Sequence, residues 1–104
     1  MGKLIDGVTI TMGGAEYIVP PLTFRQLRAL QKNIETLGKV ESSISSDQME
    51  SICTLVYTAL SRNYPKFKKS DLEDLLDLGN VGKIIGAIMG VSGLEKSGEA
   101  AGNP

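Results

Sequence analysis

The stretch VTITMGGAEYIV, residues 8–19, holds two short runs in which apolar and polar residues alternate about the pair Gly13-Gly14. Paired glycines are favoured where both central residues of a tight turn take positive φ, so the stretch predicts a β-hairpin. A two-residue turn sets Met12 opposite Ala15, Ile10 opposite Tyr17 and Val8 opposite Val19. One face is then apolar, and Thr9, Thr11 and Glu16 fall on the other. Two strands are marginal alone, so that face needs a cover. Pro20 and Pro21 end the second strand, because neither can donate a ladder hydrogen bond. Downstream, the apolar residues recur with helical period in four segments. The expected class is therefore α+β, an N-terminal hairpin followed by about four α-helices in a single domain over residues 1–91, with at least one helix over the hairpin.

The first helix is predicted over residues 24–37. Thr23 and Gln26 have capping-box spacing, and Leu22 and Leu27 stand where a hydrophobic staple packs. Phe24, Leu27, Leu30, Ile34 and Leu37 recur on one face, and Gly38 supplies a left-handed stop. Residues 39–46 are polar, with four serines and no sustained period, and read as a loop. Ser45 or Ser46 then caps a second helix, residues 47–62. Met49, Ile52, Cys53, Val56, Ala59 and Leu60 keep the helical repeat and Leu55 and Tyr57 widen it, which predicts the most buried helix.

The run NYPKFKKSDLEDLLDLGN, residues 63–80, crowds carboxylates and lysines around a leucine repeat. Pro65 breaks the second helix. Ser70 and Glu73 have capping-box spacing for a third helix over residues 71–78, with Leu72, Leu75, Leu76 and Leu78 as core and Gly79 as stop. Asp71, Glu73 and Asp74 fall in its first turns, where the helix dipole favours anions. Asn80 caps a fourth helix over residues 81–90. Residues 92–104 are small, polar and glycine-rich, a composition that predicts a disordered tail.

Composition excludes several chemistries. The chain has 104 residues, a net charge of −1, no histidine, no tryptophan and one cysteine. Disulfide frameworks and the usual zinc ligand sets cannot be assembled within it. No run approaches the length of a membrane-spanning helix, and a cytosolic location is expected. Asp71, Glu73, Asp74 and Asp77 lack the asymmetric environments that acid and base catalysis needs, and their spacing does not match a calcium loop. GNVGK, residues 79–83, is too short for a phosphate loop, and residues 90–97 carry Glu95 where a glycine belongs. Cys53 lies in an apolar stripe with no histidine to ionise it. No catalytic, cofactor-binding or metal-ligating residue is assigned, and no small-molecule substrate is expected.

Two surfaces remain. Gly82, Gly86 and Gly90 recur at i, i+4, i+8 beside Ile84, Ile85, Ile88 and Met89, and a glycine track of this kind lets another backbone approach, from this domain or from a second copy. An amphipathic client helix is bound through anchors at i, i+3, i+4 and i+7, and Met89 has the flexible side chain that adapts to varied packing. The alternative surface is the basic row Arg25, Arg28 and Lys32, a face for a small nucleic-acid-binding regulator. Glu35 interrupts that row and no exposed aromatic is expected beside it.

The segments VPPLTFRQLRAL, LVYTALSRNYP and DLEDLLDLGNVGKIIGAIMGVSGL, in that order, resemble the small tail assembly chaperones of tailed bacteriophages, in particular the Mu-like prophage group, over residues 17–94. The resemblance implies a non-enzymatic protein of the bacterial host's cytoplasm that binds the tape measure protein, helps tail tube protein gather around it and is absent from the virion. It also implies a longer form made by ribosomal frameshifting near the tail. The family has no transferable site motif.

Overall fold

The computed structural model describes residues 4–37 and 45–93. Gly38 as a helix stop, most of the serine-rich loop and the tail beyond Gly93 lie outside the described residues. Two strands, β1 (Val8–Met12) and β2 (Ala15–Val19), precede five helices: α1 (Phe24–Ala29), α2 (Gln31–Leu37), α3 (Ser46–Ser61), α4 (Lys69–Leu75) and α5 (Val81–Val91). The class is α+β, as the sequence predicts.

The strands pair antiparallel with Val8 opposite Val19, Ile10 opposite Tyr17 and Met12 opposite Ala15. Gly13 and Gly14 take φ of 57° and 82°, the left-handed values that the two-residue turn demands. Ile10, Met12 and Val19 are buried, and Thr9, Thr11 and Glu16 are exposed. β1 packs on α5 and β2 on α3, so two helices cover the hairpin. Asn63 fastens its outer edge: the amide Nδ2 donates to the carbonyls of Ile5 at 2.9 Å and Ile18 at 2.8 Å. The Tyr64 hydroxyl accepts from Ile18 N–H at 2.8 Å. Tyr17 stands edge-on to Tyr64 and Phe67.

Helix starts follow side-chain chemistry at two of the expected places. Thr23 and Gln26 form the full capping box, and Ser45 forms another with Gln48. The single helix expected over residues 24–37 is instead two. At Leu30 the backbone turns to φ −97° and ψ 6°, yet Leu30 N–H still reaches Gln26 C=O at 2.9 Å and Ile34 N–H reaches Leu30 C=O at 2.9 Å. Leu30 is buried at the bend. Burying a leucine stabilises by about 1.5–3 kcal/mol, which offsets a local departure from helical dihedrals that keeps these two main-chain bonds. Phe24, expected on the apolar face, is 87% exposed, because Leu22 fills the core at that end.

α3 carries the centre of the core, with Ile52, Cys53, Leu55, Val56, Ala59 and Leu60 all buried. α4 departs from expectation at both ends. It spans Lys69–Leu75 rather than residues 71–78, and Lys68 precedes it without a side-chain cap. Ser70 lies inside its first turn, because the chain already turns after Pro65 through Phe67 N–H to Tyr64 C=O at 3.0 Å. Leu76 is extended, which takes Leu78 off the helical repeat and leaves it 70% exposed instead of in the core.

Between α4 and α5 the cap is shared. Asp77 Oδ1 accepts from Gly79 N–H at 2.8 Å and Asn80 N–H at 2.9 Å. Asn80 Oδ1 in turn accepts from Asp77 N–H at 2.9 Å, and its amide donates to Leu75 C=O. Asn80 alone was expected to cap α5; the carboxylate of Asp77 takes that role. α5 ends at Ser92, whose Oγ accepts from Leu22 N–H at 3.0 Å, so the residue expected to open the tail is tied to the chain before α1.

Candidate partner-binding groove

α3 and α4 lean together through Ile52, Cys53 and Leu72, all buried. Helix α4 stops after seven residues, too early to cover the N-terminal half of α3. The space left is an open groove of about 570 Å³. Met49, Ile52 and Cys53 form one wall, and Leu72, Leu76, Leu78 and Val81 form the other. Met49 is 52% exposed and Leu78 70%, so the groove presents apolar surface to solvent.

Its polar lining is Ser46, Glu50, Glu73 and Asp77. The ionisable groups among these are three carboxylates. Glu50 is ion-paired with Lys69, both side chains partly solvated, a kind of pair worth no more than about 1 kcal/mol. The Cys53 thiol registers this environment: burial pushes its pKa up, the Glu73 and Glu50 charges push it further, and Lys69 opposes them. A thiol held neutral is a small apolar surface element rather than a nucleophile.

The residues singled out in sequence are distributed differently. Ile84 and Ile88 of α5 are buried in the core against the hairpin, so in this structure they offer nothing to a partner. Ile85, Met89 and Gly90 are half-buried, and Gly82 and Gly86 are exposed. A Cβ added at Gly82, Gly86 or Gly90 would meet nothing within 4 Å, so the track faces open space. Arg25, Arg28 and Lys32 are exposed, but they are divided between α1 and α2 by the bend at Leu30. An exposed aromatic does accompany them, Phe24, contrary to expectation. The short glycine segment of residues 79–83 is not a phosphate cradle, because the Gly79 and Asn80 amides already donate to Asp77. Among the described residues, no group of three or more acidic or cysteine side chains could hold a metal ion, and no helix is long and apolar enough to cross a membrane.

Sequence reasoning missed the groove because periodicity assigns Met49 and Leu78 to the core. No local signal marks the early end of α4, which spans Lys69–Leu75 where residues 71–78 were expected. Comparison with family models, curated proteins and solved structures finds no match for this chain.

Proposed function

We propose that this chain is a non-enzymatic interaction protein, a tail assembly chaperone of a tailed phage or Mu-like prophage. It holds the tape measure protein in the bacterial cytoplasm while tail tube protein assembles around it. The observation that carries the reading is the open apolar groove between α3 and α4, with Met49 and Leu78 standing in solvent. Solvated apolar surface in a recess is what a helical client buries on binding. The exposed glycines of α5 give a second place where a client or a second copy can approach closely.

Co-expression with a tape measure fragment tests this. The fragment is expected in the soluble fraction with the chain and in the pellet without it. A fragment equally insoluble in both cases would contradict the reading.

Phe24 favours a second reading. A solvent-facing ring beside Arg25 and Arg28 supplies the stacking element that single-stranded nucleic acid uses. That reading predicts binding to an oligonucleotide that falls steeply from low to moderate salt, whereas client burial in the groove does not.

A further inference from the structure

We propose that the α3–α4 groove selects an amphipathic helix of another protein whose apolar stripe is flanked by lysine or arginine. The inference rests on the chaperone reading and specifies the client segment.

Length limits the occupant. The α3 wall runs from Ser46 to Cys53, eight residues spanning about 10 Å at the helical rise. That is two turns, enough for anchors at i, i+3 or i+4, and i+7 and no more. The polar groups argue for a helix over a small ligand. They stand at the rim and not at the floor, where Cys53 offers only a weak donor. A small-molecule site needs a few polar groups converging on the ligand.

Charge then chooses among helices. Glu73 and Asp77 border the apolar walls with Glu50, which is already paired with Lys69. The residues flanking the client's stripe therefore meet a rim whose lining charges are carboxylates, two of them in no ion pair with a cation among the described residues. Cations there gain rim ion pairs and anions meet repulsion, which sets specificity and encounter rate more than affinity. The Cys53 thiol agrees with this geometry: burial raises its pKa first, and the Glu73 and Glu50 charges raise it further against Lys69.

Among the described residues, no helix face of a second copy offers such an occupant. The basic row of α1 and α2 presents one large apolar anchor, Phe24, because Leu27 and Leu30 are turned to the core. The outer face of α5 presents Gly82, Lys83 and Gly86, which is charge beside glycine and not a stripe of anchors.

The test uses two labelled helical peptides with one leucine stripe, flanked by lysines in one and by glutamates in the other, titrated against the full chain. The lysine peptide is expected to bind about tenfold tighter, the size of two or three solvated ion pairs. Glu73→Lys, on an exposed side chain, should remove most of that difference. Leu78→Asp should weaken both peptides, with Met49→Gln as the second variant should Leu78→Asp not fold. Equal affinities for the two peptides, or a preference that Glu73→Lys leaves unmoved, would overturn the proposal. So would self-association of the wild type that Leu78→Asp abolishes while neither peptide binds, which makes a second copy the occupant. A tape measure fragment kept soluble equally by wild type and Leu78→Asp would remove the groove and leave the chaperone reading standing. Preferential capture of the lysine peptide, with that fragment remaining insoluble, would support the groove and sink the chaperone reading.

Discussion

Where α3 meets the hairpin and α5, aliphatic side chains are sealed: Ile10, Met12, Val19, Ile84 and Ile88 are all buried. Where α3 meets α4, the same residue types are left half open, with Met49 and Leu78 in solvent and carboxylates at the edge. The residues do not differ in kind; what differs is the element available to cover them. An eleven-residue helix closes the first side, whereas the seven residues of α4 end before the second is closed. Helical spacing marks a residue as apolar-facing, but only the length of the neighbouring element decides whether that face becomes core or surface.

A matched pair of leucines offers the largest break in this contrast. Leu72 is 0% exposed and Leu78 is 70% exposed. Leu72→Ala should cost about 2–5 kcal/mol in denaturant unfolding, and Leu78→Ala no more than about 0.5 kcal/mol. Equal costs would mean that the groove is closed in solution. Glycines give the next contrast. A Cβ at Gly7 would lie 1.9 Å from the Val19 carbonyl oxygen, so Gly7→Ala must displace backbone. A loss of about 1–3 kcal/mol is expected. At Gly86 nothing stands in the way, and Gly86→Ala should stabilise the free protein by about 0.5–1 kcal/mol through helix propensity. A melting temperature lowered by Gly86→Ala would show that something packs on the track. Thr23→Ala should cost about 1 kcal/mol by removing the α1 cap.

The smallest effect is in pH. The Cys53 pKa is raised above its ordinary 9.0 in the folded chain. Below that value both states hold the proton and stability is unaffected. As pH rises past it, the unfolded thiol ionises first and the folded state loses stability. Cys53→Ala should flatten that alkaline decline, measured as midpoint denaturant concentration against pH. An unchanged slope would mean that burial and the two glutamates do not act on the thiol.

The hairpin was legible to the residue. Its register, its exposed threonines and its glycine turn follow from period and turn chemistry, both local. The Thr23 and Ser45 starts were legible for the same reason. Ser70 misled because Ser-x-x-Glu spacing also occurs one residue inside a helix that a preceding proline turn has already begun. Asp77 was set aside only as a catalytic or calcium-binding carboxylate, although its spacing to Asn80 carries the reciprocal cap seen here. Phe24, Leu78 and the groove were not legible, because exposure depends on how far a neighbour in space extends, and neither the bend at Leu30 nor the early end of α4 has a proline or glycine at the break.

The most direct test is amide hydrogen exchange on the chain with and without a soluble tape measure fragment. The expected result is new protection across residues 46–53 and 72–78, with α1 unchanged. Protection confined to residues 24–32, or none at the groove while the fragment is bound, would contradict the view that uncovered aliphatic surface between α3 and α4 is what this molecule offers its partner.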